Sequence, residues 1–480
     1  MRSLFANRSQ GFLKLGAAVE ALADAEVAVE AEPGWAKAHY RMGTALMAVG
    51  EPRAAASSLR RAASLEPLDK KIRAALDTAS RAILRSGGAQ RASVYTWGTS
   101  AAASPLLGRF IDQRVAPAHT AGAVVSLPPC IDVGCGADFS VVLTAGGEVF
   151  SWGLNAQGQC GFPDSKFVPT PRLLAFSVRA TVASIGCGAA HVIAITAGGQ
   201  SFAWGSNSEG QLGIGLSEDG GALLGGPCQI AALADSRAMS VCCGGAHTVL
   251  LAQDGLFVFG RNDEGQLGLG EEGDRSSVFV PTRLAHEALR AATHISASAT
   301  HTAIVSSGSV FTMGLGDRGQ LGRAASSTRC IRIVDGLPPC GIAAVSCGNG
   351  FTIGLAVDRS CWAWGKNSEG QLGNGTKVDS EAPTRVLGLE DCEVDLVGCE
   401  ADLVTAMTRG GDVLAWGQAR NDGHVSTRPY RWELDLADDV RVERFECGVG
   451  FAVALALAVA PPCVLAATVG EVDLLVAAAG

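Results

Sequence analysis

The sequence predicts a mainly β protein, a seven-bladed β-propeller preceded by a short all-α helical array, and three observations carry that reading. A five-residue phrase ending in glycine recurs seven times, with its fourth residues Trp97, Trp152, Trp204, Phe259, Met313, Trp364 and Trp416 spaced 51 to 55 apart. Repeats of that length built from short alternating segments are the mark of radially repeated sheets. The 480 residues include 61 glycines without a collagen period, so tight turns are frequent. The first 85 residues are instead rich in Ala, Leu, Lys and Glu, a helix-forming composition. Hydrophobic residues make up 48% of the chain, which supports a large core and excludes a disordered one.

The helical part spans residues 1–85. Self-comparison gives a period of 34, with Gly16 matching Gly50, Ala21 matching Ala55, Ala28 matching Ala62 and Pro33 matching Pro67. The small residues let two helices approach, and each proline ends a unit because it cannot continue a helix. Residues 69–85 are expected to form a solvating helix. A linker over 86–93, opening with Ser86-Gly87-Gly88, leads to the propeller at 94–457, and an apolar, alanine-rich tail of no assigned role fills 458–480.

Each propeller unit is read from three phrases. The first is the strand that carries the aromatic: VYTWG at 94–98, VFSWG at 149–153, SFAWG at 201–205, LFVFG at 256–260, VFTMG at 310–314, CWAWG at 361–365 and VLAWG at 413–417. A hairpin precedes it, as in SIGCGAAHVIAITAGGQSFAWG, where alternation meets a Gly-Gly or Asp-Gly turn. A glycine-rich loop follows it, NAQGQCG, NSEGQLG, NDEGQLG, GDRGQLG and NSEGQLG, whose Leu or Cys is expected to pin the loop to the blade. An eighth strand-like segment, CGVGFAVALAL at 447–457, is expected to pair with VYTWG and remove the open edges. PLLGR after Trp97 and RNDGHV after Trp416 are the irregular loops, as units at a closure would show.

WGxNxxGQLGxG joined to CGxxHTxxLTxxGxVYxWG resembles the repeat of the regulator of chromosome condensation family, a seven-bladed propeller, over roughly 92–457. The segment NRSQGFLKLG with ALADAEVAVEAEPGWAKAHYRMG resembles tetratricopeptide repeats, of which about two motifs are present. Some members of that second family grip the acidic C-terminal tails of heat-shock chaperones through Asn, Lys and Arg. The resemblance places Asn7, Lys37 and Arg41 at three of those positions, and Lys37 and Arg41, four apart on one helix, share a face as two cations holding one carboxylate should. The family's clamp draws two further residues from a preceding motif. Either the N-terminus is truncated here, or the pair of motifs is a remnant packed on its neighbour.

Charge supports a division of roles. Residues 1–85 carry 13 Lys+Arg against 9 Asp+Glu, or +4, which leaves −13 for the rest of a chain whose net charge is −9. No broad basic face is expected, so nucleic acid is not an expected partner. Fifteen cysteines, an odd number without compact spacing or a CxxC pair, point to reduced thiols rather than disulfides or zinc. MRSLFANRSQGF has the arginine and serine of a transit peptide, but fits the helical repeat better. Residues 449–470 are uncharged, yet Pro461 and Pro462 interrupt them and no membrane span is expected.

Candidate chemistry is sparse. His191, His247 and His301 recur at one repeat position and invite a metal reading, but Phe139, Phe351, Leu403 and Phe451 occupy that position elsewhere. Hydrogen-bonded histidines on inner strands are expected instead, with no metal and no cofactor. Light-sensing members of the propeller family carry a Gly-Trp-Arg-His-Thr phrase that is absent here. No GxSxG elbow, P-loop or HExxH occurs. The expectation is a non-enzymatic, monomeric, cytoplasmic or nuclear interaction scaffold. Its partners would be proteins, a chaperone C-terminal tail among them. The alternatives are an exchange factor for a small GTPase, which the family name implies, and a fragment of a larger multidomain regulator.

Overall fold

The computed structural model describes residues 2–49 apart from 16 and 33, scattered positions between 55 and 78, residues 92–98 and 122–124, and most of 127–458. The exceptions in that last span are 177–180, 216–223, 271–275, 324–328, 411, 419–424, 433–439 and 449–450. Most of the expected linker, the first irregular loop, nearly all of the second and the tail beyond Ala458 lie outside the described residues.

Three helices open the chain: α1 (Arg2–Lys14), α2 (Ala18–Ala31) and α3 (Ala36–Val49). They pack through small residues, as the alanine periodicity predicts: Ala6, Ala21, Ala25, Ala28, Ala38 and Ala45 have no exposed surface. Gly43 lies so close to Leu59 that a Cβ there would overlap the Leu59 side chain, which accounts for glycine at this helix contact. Ala55, Leu59 and Ala62 are helical and buried, so the helical packing continues beyond α3. The side chain of Arg8 locks α1 to α2 through two bonds to the buried carboxylate of Asp24, at 2.6 and 2.7 Å. A charge-assisted fork of this kind satisfies a carboxylate that burial would otherwise penalise.

Among the described residues from Ala92 onwards, the strands form seven four-stranded antiparallel sheets. Six are blades made of consecutive strands: β3–β6 (Cys130–Leu173), β7–β10 (Val182–Gln229), β11–β14 (Ala238–Arg283), β15–β18 (Ala292–Ile333), β19–β22 (Ile342–Arg385) and β23–β26 (Val394–Arg431). Seven sequence repeats lead one to expect seven such blades, and the structure has six. The seventh sheet is composite and joins β1 (Ala92–Gly98) and β2 (Gly122–Ala123) to β27 (Val440–Gly448) and β28 (Phe451–Ala458). Its central pair runs from Ala92 opposite Leu457 to Gly98 opposite Phe451, which is the expected pairing of the VYTWG strand with the C-terminal segment. The reason for the difference is topological: the strand of the first aromatic phrase pairs with the β27–β28 hairpin from the other end of the chain.

Within each contiguous blade the first strand lies innermost and the second carries the core. The first strands β7 (Val182–Cys187), β11 (Ala238–Cys243), β15 (Ala292–Ala297), β19 (Ile342–Cys347) and β23 (Val394–Glu400) contact one another in succession. The second strands, such as β4 (Phe139–Thr144), β8 (His191–Thr196), β12 (His247–Ala252), β16 (His301–Ser306) and β20 (Phe351–Ala356), are buried along their whole length. That full burial explains their unbroken apolar runs. Among the described residues no further strand lies beyond the outermost strand of a contiguous blade, and five of these strands carry proline: Pro169 and Pro171 in β6 (Phe167–Leu173), Pro227 in β10 (Leu224–Gln229), Pro281 in β14 (Ser277–Arg283), Pro383 in β22 (Ser380–Arg385) and Pro429 in β26 (Val425–Arg431). A proline edge has no N–H to offer a foreign strand.

Candidate functional site

The three histidines begin strands β8, β12 and β16 and are completely buried. Sequence reasoning expected them on inner strands; they stand on the second strand of each blade, and the cysteines of the same phrase occupy the innermost one. Each Nε2 meets the threonine hydroxyl of the next blade, His191 with Thr248 at 3.1 Å, His247 with Thr302 at 2.9 Å and His301 with Thr352 at 2.9 Å. Each of these threonines donates to a main-chain carbonyl in the preceding blade's loop, Gln211, Gln266 or Gln320, at 2.8 to 3.0 Å. A hydroxyl has one proton to give, so its oxygen accepts from the imidazole and the histidine donates through Nε2–H. The ring is therefore the neutral Nε2–H form. Burial pushes the pKa down to about 3 for His191 and His301 and about 4 for His247, and the neighbouring His247 adds to the effect on the other two.

Two further junctions are apolar on both sides. Where the repeat has Phe139 or Phe351 in place of histidine, the following blade has Val192 or Val404 in place of threonine, and each pair shares one buried cluster. Space for the ring comes from the glycine of the CG phrase: a Cβ on Gly188 or Gly244 would overlap the imidazole three residues on. The fourth repeat has Ser298 at that place, and its hydroxyl lies 2.7 Å from Nδ1 of His301. Burial pushes the His301 imidazole down to about 3, which makes it a weak base towards the Ser298 hydroxyl.

Tryptophans and thiols add further ties between blades. Trp204, Trp364 and Trp416 donate Nε1–H to the carbonyls of Gln159, Gln320 and Gln371 at 2.9 to 3.1 Å. The thiols of Cys243, Cys347 and Cys399 face carbonyls of the preceding blade's innermost strand, Gly186, Ser296 and Ser346, at 3.4 to 3.6 Å. Among the described residues no three His, Cys, Asp or Glu side chains are placed to hold a metal.

The GQLG loops lie at one end of the blades and are internally closed. In NSEGQLG, Oδ1 of Asn207 accepts the Leu212 N–H and Oε1 of Gln211 accepts the Glu209 N–H, at 3.1 and 2.8 Å. Their leucines are fully buried, as expected. Charged side chains then bridge one blade to the next: Glu209 to Ser277 at 2.6 Å, Arg318 to Asp379 at 3.4 Å, and Lys366 to Asp402 at 2.8 Å. Asp402 also accepts from Gln371 at 3.0 Å.

On the helices, the three residues singled out from sequence come together across α1 and α3. Lys37 Nζ donates to Asn7 Oδ1 at 3.3 Å, and both side chains are exposed. Arg41, one turn along from Lys37, donates from Nη2 to Gln10 Oε1 at 2.6 Å, and burial lowers its pKa from the ordinary guanidinium value. Its Nε is buried without a bonding partner. Gln10 is a member of this group that sequence reasoning missed; its signal is the i, i+3 spacing from Asn7, which places both on one helical face. The rings of Trp35 and Tyr40 lie beneath the two cations, at 5.8 Å from Lys37 and 5.3 Å from Arg41.

A ring of four-stranded blades tied by recurring loops defines a β-propeller of the RCC1 type, and comparison with known proteins agrees. The family model described as RCC1-like domain matches residues 82–399, and the chain belongs to that family. It is 34% identical over 297 residues to the ultraviolet-B receptor UVR8 of Arabidopsis thaliana, which covers 61% of this chain and 66% of that protein. It is 33% identical over 376 residues to the probable E3 ubiquitin-protein ligase HERC3 of Homo sapiens, covering 66% of this chain. The chain thus spans under two thirds of the first relative's length, at 66%, and 35% of the second's. Among solved structures, yeast RCC1 (Prp20) bound to Kap60 superposes with a TM-score of 0.67 at 18% identity, covering 77% of this chain and 90% of that one. Human WBSCR16 gives 0.66 at 22% identity, covering 76% and 99%. At such identities the structures speak for the fold alone.

Proposed function

We propose that this protein is a non-enzymatic protein-interaction scaffold in which the propeller presents a rigid loop surface and the helices receive an acidic C-terminal peptide. The observation that supports it is where the polar groups go. The repeated His, Thr, Trp, Gln and Asn side chains of the propeller bond to one another and to backbone, which makes a fixed platform rather than a reactive cleft. In this reading the composite sheet is the seventh blade and closes the ring, and α1–α3 are the start of a tetratricopeptide array. Asn7, Gln10, Lys37 and Arg41 converge as a carboxylate site requires: one amide pair, two cations and a shared face. The chain is also consistent with being the propeller portion of a longer regulator, given its partial coverage of the relatives.

Two measurements test the proposal. A fluorescent peptide ending in Glu-Glu-Val-Asp, titrated with the full chain, is expected to bind, and to lose binding on C-terminal amidation or in a K37A/R41A variant. Absence of binding at millimolar protein removes the peptide half of the proposal. Nucleotide release from a panel of small GTPases is expected to stay flat on addition of the protein. Acceleration of any one of them would replace the scaffold reading with that of an exchange factor.

A further inference from the structure

The His–Thr junctions are consecutive. They join the β7–β10 blade to β11–β14, that blade to β15–β18, and that one in turn to β19–β22, whereas the junctions on either side of this stretch are Phe139 with Val192 and Phe351 with Val404. The two kinds of junction respond differently to acid. A phenylalanine–valine contact has nothing to titrate. A second proton on a neutral, fully buried imidazole that donates from Nε2 must go to Nδ1, and there it finds no acceptor in His191 or His247, whose Nδ1 lacks a bonding partner, and only the Ser298 hydroxyl in His301. The titratable and polar groups around the three rings are Thr248, Thr302, Thr352 and Ser298, the thiols of Cys243 and Cys347 that share those threonines, and the neighbouring imidazole. Among the described residues no carboxylate acts on any of the rings to stabilise an imidazolium.

We propose that these three junctions make one sector of the ring acid-labile, so that the sheets from β7 to β20 loosen on mild acidification while the β3–β6 and β23–β26 blades stay closed. The geometry sets the direction. An opened histidine titrates near its ordinary 6.5, whereas the closed ring stays neutral down to about 4 at His247. Stability contributed by the neutral ring is therefore complete above about pH 6.5 and declines as the pH falls towards 4. At pH 5 each opened histidine favours the open junction by about thirtyfold relative to pH 7.5. Opening of these junctions would expose the inner-strand thiols of Cys243 and Cys347.

Hydrogen–deuterium exchange on the full chain, at pH 5.0 and 7.5 and corrected for intrinsic amide chemistry, tests it. The expected result is a loss of protection of thirtyfold or more in β8, β12 and β16, with β4 and β24 (Leu403–Thr408) changed by less than threefold. Equal loss in β4 and β24, or no loss in β12, overturns the proposal. The H247F/T302V variant copies the Phe139–Val192 junction. If circular dichroism shows it folded, it should lower the acid effect at β12 about thirtyfold, and persistence of the full effect would also overturn the proposal. The wild-type comparison between strands decides the matter whether or not the variant folds.

Discussion

Gly370 offers a direct measure of how strongly one blade leans on the next. It belongs to the NSEGQLG loop of the β19–β22 blade and has a φ of +78°, where L side chains are strained. A Cβ there would stand 2.8 Å from Ser426 O and Thr427 Cα, both on the outermost strand of the following blade. Gly370→Ala thus incurs two costs, about 1–2 kcal/mol for the left-handed backbone and about 1–3 kcal/mol for overlap with backbone that cannot step aside. Gly388 supplies the control: its φ is +83° and nothing lies within 4 Å of the place a Cβ would take. Gly388→Ala should incur the strain alone. Urea unfolding followed by tryptophan fluorescence should therefore show Gly370→Ala less stable than Gly388→Ala by about 1–3 kcal/mol. A difference within about 0.5 kcal/mol, inside the scatter for surface changes, would refute the idea that the loops brace neighbouring blades.

Other predictions follow from the same contacts. Thr302→Val should destabilise by about 2–3 kcal/mol at neutral pH, because it leaves the buried His247 donor without an acceptor. His247→Phe in addition should recover much of that loss, so a double-mutant cycle should give a coupling energy of at least about 1 kcal/mol. Trp416→Phe removes the indole donor to the Gln371 carbonyl and leaves a gap, and should lower stability by about 2 kcal/mol in the same denaturation assay. The Cys130 and Cys160 thiols, which burial pushes up to about 12, should resist iodoacetamide at pH 8 in the folded protein, whereas the exposed Cys228 should be alkylated, as peptide mass mapping would show.

The propeller was largely legible because its repeats restate one solution. The aromatic-glycine strand, the preceding hairpin and the GQLG loop each recur with the same register, and the pairing of VYTWG with the C-terminal strand follows from a unit that lacks its own hairpin. What was not legible was correlation between neighbours. His191 and Thr248 are 57 positions apart, and only the stacking of blades shows that residue one of a repeat answers residue two of the next. Part of the signal was in the chain, since Phe139 with Val192 and Phe351 with Val404 replace His and Thr together, although Ser140 stands at the threonine position opposite Phe451. The same limit applied on the helices. Lys37 and Arg41 could be put on one face from their spacing, but the contact of Lys37 with Asn7, 30 residues away, depends on how α1 and α3 meet. A partner's identity is written in side chains that bond to nothing within the chain, and periodicity says nothing about those.

The composite sheet has a consequence for how the protein is made. Its β1 leaves the ribosome roughly 350 residues before β28, a delay of about 20–70 s at ordinary rates of synthesis. The six contiguous blades can form in turn as each hairpin set emerges, and β2 follows β1 closely, but the other flank of β1 must wait through all of them for β28. Joining the two ends is thus the last act of folding. Until then the nascent chain displays a hydrophobic strand that translation pauses or a holding chaperone would need to shield.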